Sequence, residues 1–262
     1  MPQEQRFDDP LQVRQACRED RLDVFPSTTI NGYLCVNLVM MDAASAGDFQ
    51  RFCQLNRVAC PLLATLPAGD TRCPEDWARD CELTTDLRSY DIIEHGRVTR
   101  SVTQVSDLVD ERTVSFLIGS SVSFDGLLEE HGWRPTWGPC IYDTSRACEA
   151  VGPYAGNMAV TMRSFPSAIA EQVAAFTAHF PDCHGGPIVR NDPAVLGIAD
   201  EQDFLLPPPQ DAPIPTGDER LYWACGITPS RVAQAACLPL MIVHSPGNAL
   251  VTDVPTMDLY KD

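Results

Sequence analysis

Trp223-Ala-Cys-Gly-Ile-Thr-Pro229 and Val243-His-Ser-Pro-Gly-Asn-Ala-Leu-Val-Thr-Asp253 decide how this chain is read. Each sets small and polar residues, with a Cys or a His among them, after an apolar run that reads as a buried strand. In open α/β sheets, ligands sit outside the carboxyl ends of strands. Reactive side chains at such ends therefore point to a small-molecule site. Strands alternating with helical periodicity along the chain place it in the α/β class.

In the first stretch, Thr228 reads as a helix N-cap and Pro229 as the first helical residue. Gly226 lets a ligand approach the backbone, and free N–H groups at a helix start attract carboxylates. A Cys225 thiol there could have a lowered pKa; the same turn also reads as an ordinary strand-to-helix connection around a buried Cys. In the second stretch, His244 follows four apolar residues and precedes Pro246-Gly247, at the mouth of a central strand, and Asp253 ends the next strand. An imidazole there is well placed for acid–base work. His184 precedes Gly185-Gly186, and Asp192-Pro193 is a turn starter. Brought together, His184 and Asp192 would make a proton-transfer pair; alone, each reads as a surface or structural residue. Arg163, expected at the end of the strand Met158 to Met162, could bind a carboxylate bidentately or make an ordinary ion pair.

Further out, Asp9 caps a first helix with Pro10 in its first turn, and Tyr33 to Met40 reads as a strand. Ser45 to Asp48 resembles a capping box opening a helix whose Phe49, Phe52 and Cys53 share a face, with Asn56 as its C-terminal cap. Val114 to Ile118 is a strand running into Gly119-Ser120-Ser121, and Asp125 to Glu129 looks helical. The Gly-, Pro- and Trp-containing segment 132–153 reads as irregular. Ile169, Val173 and Phe176 mark an amphipathic helix that stops before Pro181. Further strands are expected at Pro187 to Arg190, Leu221 to Cys225, Leu240 to Val243 and Leu250 to Thr252. Between Asp203 and Gly217 lies an aperiodic, Pro-rich connection. The expected organisation is a main domain from 1–100 plus 170–262 and a smaller subdomain from 101–169.

Composition narrows the function. A formal net charge of −17 over 262 residues disfavours nucleic acid and anionic membranes. Lys and Arg total 19, and Lys261 is the sole Lys. Schiff-base chemistry and Walker-type phosphate binding both need a Lys in the site, so both are disfavoured. The eleven Cys include no Cys-x-x-Cys pair, which favours reduced, structural thiols over a disulfide framework. Gly119-Ser-Ser121 lacks the Gly-x-Ser-x-Gly elbow, and no metal-ligand or dinucleotide motif is present. No cofactor and no metal are expected. No apolar stretch is long enough to span a bilayer, and the polar start Met1 to Arg6 lacks a signal-peptide layout. The expectation is a cytoplasmic protein binding a small molecule, with homo-oligomerisation left open.

The chain resembles the YcsI/YcgI family (DUF1445), whose bacterial members carry hydro-lyase names and which is related to a region of vertebrate D-glutamate cyclase. The matching runs are Asp48 to Asn56, Cys60-Pro-Leu-Leu63, Thr85-Asp-Leu87, Phe116 to Gly119, Ser121, Ser123-Phe124, Thr161-Met-Arg163, His184-Gly185 with Pro187, Asp192-Pro193, Trp223 to Gly226 with Thr228-Pro229, His244 with Pro246-Gly247, and Val251-Thr-Asp253. The resemblance implies a three-layer αβα domain with a smaller two-layer α/β subdomain, and a cofactor-independent lyase or cyclase acting on a small carboxylate by loss or addition of water. It adds Ser121 and Asp86 to Arg163, Thr228 and Gly226 as substrate-binding candidates. The catalytic candidates are His244, His184, Cys225, Asp192 and Asp253. The chain departs from the family pattern at Ser120, Val122, Asp125, Val189, Val243 and Asn248, where the family has Cys, Phe, Glu, His, Thr and His. Loss of two imidazoles motivates two other readings: ring closure or bond cleavage in a secondary-metabolite pathway, or non-catalytic small-molecule binding.

Overall fold

The computed structural model describes residues 5–262; Met1 to Glu4, part of the stretch read for an export signal, lie outside them. The order is α1 (Pro10–Arg18), β1 (Tyr33–Asp42), α2 (Ala43–Leu55), β2 (Leu62–Thr65), β3 (Tyr90–Glu94), β4 (Arg97–Val102), β5 (Thr113–Gly119), α3 (Asp125–Glu130), β6 (Trp137–Ala147), β7 (Asn157–Pro166), α4 (Ser167–Ala178), β8 (Val189–Arg190), β9 (Asp218–Ala224), α5 (Ile227–Ala235), β10 (Met241–His244) and β11 (Leu250–Pro255). Strands and helices form a mixed α/β fold with two sheets. The larger has order β2-β5-β1-β10-β3-β4 with β11 also on β1; the smaller has order β6-β7-β9-β8.

Every strand pairing is antiparallel. The rule that ligands gather beyond the carboxyl ends of parallel strands therefore does not place the site in this molecule. β1 is the axis of the large sheet because its apolar run is covered on both faces. Val39 and Met41 face Phe49 and Phe52 of α2 and Val232 of α5. Val36, Leu38 and Met40 face a core shared with Phe165, Leu221 and Trp223 of the small sheet and Ala170 and Val173 of α4. The outer face of the small sheet, with Met162 and Tyr222, is covered by Leu196, Ile198, Phe204 and Ile214. α1 closes one end, packing Val13 and Cys17 against Cys35 and Val251.

Several local expectations change. Asp42, not Ser45, caps α2, its carboxylate accepting from Ala44 N at 2.8 Å. The strand ahead of the helix already supplies a capping side chain, so the box further on is unused. Segment 132–153 is not irregular: β6 crosses it with alternating burial and pairs with β7. Its Gly138 lies against the Met162 carbonyl, where a Cβ would come within 2.7 Å, so this glycine marks close strand approach. The β3–β4 hairpin, unread in the sequence, turns at His95-Gly96, both with positive φ, the conformation of a two-residue hairpin loop. The sheets also do not divide the chain at 101 and 169. β5 belongs to the large sheet, and β8 and β9 to the small one.

Candidate functional site

Between the two sheets lies a buried polar cluster centred on Arg163. The strand runs on to Pro166, so Arg163 sits within β7 and not at its end. Strand alternation turns it inward with Phe165, and it is 1% exposed. Its guanidinium carbon lies 5.6 Å from the Phe124 ring centre and 5.4 Å from that of Trp223, within cation–π range. Nη2 donates to Asp125 Oδ2 at 3.0 Å and to Ser121 Oγ at 3.4 Å. Nη1 is buried with no partner among the described residues. A buried charged donor without an acceptor is costly, and it marks where an anionic ligand would be welcome.

His184 follows the 3-10 turn Pro181–Cys183 in left-handed conformation, φ +76°, a strained state for a residue with a side chain. Its Nδ1 lies 2.9 Å from the Val58 carbonyl. That contact requires Nδ1 to carry the proton and leaves Nε2 with a lone pair. Nε2 is buried with no hydrogen-bond partner among the described residues, although the Gly119 carbonyl also acts on the ring. Burial first, then the Arg163 charge, lower the His184 pKa to about 4, while the Val58 and Gly119 carbonyls oppose the fall. His184 is therefore a neutral imidazole with a free basic nitrogen.

Cys225 follows β9 on the face of Trp223. The sequence allowed a lowered thiol pKa; burial instead pushes it up, against smaller opposing effects from Thr161, Ile227 N–H and Arg163. Desolvation outweighs the helix start, so the thiol stays protonated. Gly226, not Thr228, is the residue before the first turn of α5. A Cβ at Gly226 would meet the Asn37 amide at 1.9 Å, so glycine is needed for the β9–α5 turn to lie on β1. Asn37 Nδ2 in turn donates to the Gly119 carbonyl at 3.1 Å. Gly119 is as tightly constrained, since a Cβ there would meet the Asp182 carbonyl at 1.7 Å. Asn37 and these two glycines bring β5, the His184 turn and the Cys225 turn together.

Asp125 completes the cluster. Its side chain is 41% exposed, yet the carboxyl is deep enough that desolvation outweighs Arg163 and raises its pKa. Sequence reading left Asn37 and Asp125 off the site list. Asn37 was visible as the one polar residue inside an apolar strand run, and Asp125 as the acid starting a helix just after Ser121.

Other sequence candidates lie elsewhere. His244 Nδ1 is 3.3 Å from the Leu38 carbonyl. Burial lowers its pKa to about 4, with Asp91 opposing. β10 and β11 occupy the same side of β1, opposite β5. His244 therefore stands at a break in one lane of the sheet, where residues 245–249 loop out, and not at an open strand mouth. Asp192 is exposed and makes no hydrogen bond with His184 among the described residues. Asp253 is taken by Arg14, at 3.1 Å from each of its oxygens, and by Arg79 N at 2.6 Å. Asp86 is taken by Arg18 at 2.7 and 2.8 Å. The Thr228 hydroxyl accepts from Ala159 N at 3.0 Å, tying α5 to β7 inside the core. These last three side chains are occupied by structural contacts.

Two cavities lie away from the cluster. One of about 340 Å³ runs between α2 and β2, beside Arg57 and Thr65. One of about 590 Å³ lies between the small sheet and the Pro-rich connection, beside Trp137, Phe204 and Arg220. Among the described residues no group of three or more His, Cys, Asp or Glu is placed to hold a metal, and no helix is long and apolar enough to cross a membrane.

The antiparallel α/β scaffold thus encloses a cation, a neutral imidazole and a protonated thiol. Comparison with known proteins gives this scaffold a family. The D-glutamate cyclase family matches residues 114–253, the stretch holding Arg163, His184, Cys225 and Asp125. The chain is 35% identical to YcsI of Bacillus subtilis (strain 168), named "Putative hydro-lyase YcsI", covering 94% of this chain and 96% of that one. Proteins named "Putative hydro-lyase" from Jannaschia sp. (strain CCS1) and Paraburkholderia phymatum are 35% and 36% identical, covering 94% and 95% of this chain and 93% and 98% of theirs. The chain belongs to the D-glutamate cyclase family, and the names of its relatives agree on chemistry of the lyase or cyclase type.

Proposed function

We propose that this chain adds or removes water on a small carboxylate-bearing substrate at the Arg163 cluster, without a cofactor. The observation that carries this reading is the pair of buried, unpartnered atoms, Arg163 Nη1 and His184 Nε2. One is a charged donor and the other a neutral acceptor, and the Arg163 charge is felt at His184. A carboxylate accepts from Nη1 and offsets the field that depresses His184. The His184 pKa then rises, and Nε2 becomes a competent general base. The protonated Cys225 thiol is the proton donor available to a leaving hydroxyl. In a dehydration, His184 takes the substrate proton while this thiol gives a proton to the departing oxygen, so water leaves with no net charge transfer.

The test is a substrate panel of D-glutamate and small hydroxy acids, with purified protein and the His184→Ala and Arg163→Lys variants. Turnover of a carboxylate by the parent and its loss in both variants, with unchanged folding, supports the reading. Undiminished turnover in His184→Ala removes His184 as the base. Ligand binding with unchanged ligand recovered would favour a non-catalytic binder.

A further inference from the structure

Away from the cluster, two thiols face each other across a short antiparallel bridge. Arg72 pairs with Glu82, so Cys73 stands opposite Cys81. Cys73 N donates to the Cys81 carbonyl at 3.1 Å, and Leu83 N to the Thr71 carbonyl at 2.8 Å. Directly opposite residues of an antiparallel pair have Cα atoms about 4.5–5.5 Å apart, inside the range of about 4.4–6.8 Å that a disulfide spans. Both side chains enter the same core, 4% and 5% exposed. The neighbouring Cys73 thiol, together with burial, pushes the Cys81 pKa up.

The segment between them is a strap. The Trp77 carbonyl accepts from Asp253 N at 2.7 Å, and Arg79 N donates to Asp253 Oδ2 at 2.6 Å. The Arg79 carbonyl accepts from Arg14 at 2.8 Å, and the Asp80 carbonyl from Arg18 at 2.6 Å. The strap therefore fastens α1 to β11, with the two cysteines at its ends.

We propose that Cys73 and Cys81 form a reversible disulfide by exchange with a small-molecule disulfide such as glutathione disulfide, locking this strap. One cysteine, deprotonated as the strap opens, attacks the glutathione disulfide and releases one glutathione thiolate. The second cysteine, also losing its proton, attacks the protein sulfur of the mixed disulfide and releases the other. Two protein thiols are oxidised to one disulfide, and glutathione disulfide is reduced to two glutathiones. Burial makes the exchange slow and limited by strap opening.

The experiment equilibrates the full-length protein with glutathione and glutathione disulfide mixtures, then maps linked peptides by mass spectrometry after acid quench. The expected result is a Cys73–Cys81 peptide that disappears with dithiothreitol, together with a midpoint unfolding temperature several degrees higher in the oxidised form. The expected cleavage within 74–80 is slower after oxidation, and Cys81→Ala, or Cys73→Ala if that variant misfolds, abolishes the protection. Absence of the linked peptide at a poise that oxidises a thioredoxin-type dithiol, even with mild urea to open the strap, overturns the proposal. So does linkage of either cysteine to a different partner. None of these readouts depends on turnover, so they stand apart from the lyase reading.

Discussion

Arg14 and Arg163 are the two fully buried arginines of the described chain, both 0–1% exposed, and they are used differently. Arg14 sends Nη1 to the Val251 carbonyl and to Asp253 Oδ1, and Nη2 to the Arg79 carbonyl and to Asp253 Oδ2, at 2.8–3.1 Å. Arg163 fills only Nη2 and keeps Nη1 without an acceptor, and its charge is felt at an imidazole whose Nε2 is equally unfilled. Equal burial thus separates into a tie that holds α1 on the sheet and a guanidinium for which we propose an anionic ligand. Arg14 too keeps one buried nitrogen, Nε, without a partner among the described residues, so what divides the two is the number of acceptors filled and the unfilled imidazole that feels the Arg163 charge.

The largest expected effect breaks the comparison at its catalytic side. His184→Ala should lower turnover of an accepted carboxylate by roughly 10²–10⁴-fold, with kcat falling more than KM rises. Arg163→Lys should chiefly raise KM, since an ammonium cannot reproduce the fork. Steady-state kinetics on the two variants measure this; an unchanged kcat in His184→Ala would transfer the base role elsewhere. On the structural side, Arg14→Met removes one partner of a buried pair and should cost about 3 kcal/mol while leaving kcat of the folded fraction unchanged. Urea unfolding monitored by circular dichroism reads this, and a loss of kcat with intact stability would contradict the division drawn here.

pH sharpens the same contrast. His184 and His244 are both held near pKa 4, below the usual imidazole value. The folded protein therefore binds fewer protons than the unfolded chain between about pH 6.5 and 4. Stability from each imidazole is present above about 6.5 and is lost as pH falls toward 4, by on the order of 3 kcal/mol each. The Asp253 carboxyl, lowered by Arg14 and Arg79 despite opposing desolvation, keeps its contribution until the pH drops below the ordinary carboxylate range. His184→Gln should flatten the upper part of the stability profile and Arg14→Met the lowest part; identical profiles in both variants would show the two arginine regions to be coupled. The smallest effect is at the start of α1, where Asp9 accepts from Leu11 N at 2.9 Å. Asp9→Ala should cost about 1 kcal/mol without touching turnover, measured by the same unfolding experiment.

Much of the fold was legible because its local signals agree. Asp9-Pro10, the apolar run from Tyr33, the spacing of Ile169, Val173 and Phe176, and the strand from Val114 into Gly119 all match observed elements. β6 was hidden because Gly138 and Pro139 read as loop punctuation while their strand is held by its neighbour β7. At the site, Arg163, His184, Cys225, Gly226 and Ser121 were named from sequence; Arg163 donates to Ser121, and its charge is felt at His184 and Cys225. Asp253, Asp86 and Thr228 carry the same chemical types, but their partners Arg14, Arg18 and Ala159 lie 239, 68 and 69 positions away. No local pattern reports such distant partners.

The sequence by itself determined most of the strands and helices, β6 and the β3–β4 hairpin excepted, because periodicity and capping act over a few residues. It also determined that Schiff-base chemistry is disfavoured, because a lone Lys261 is a matter of composition. Only the tertiary structure decided that every strand pairs antiparallel, that His244 stands at a break in a strand lane, and that Cys225 is a protonated thiol. Pairing direction, desolvation and the filling of hydrogen-bond donors depend on what the rest of the chain places around a residue, and that is settled by packing alone.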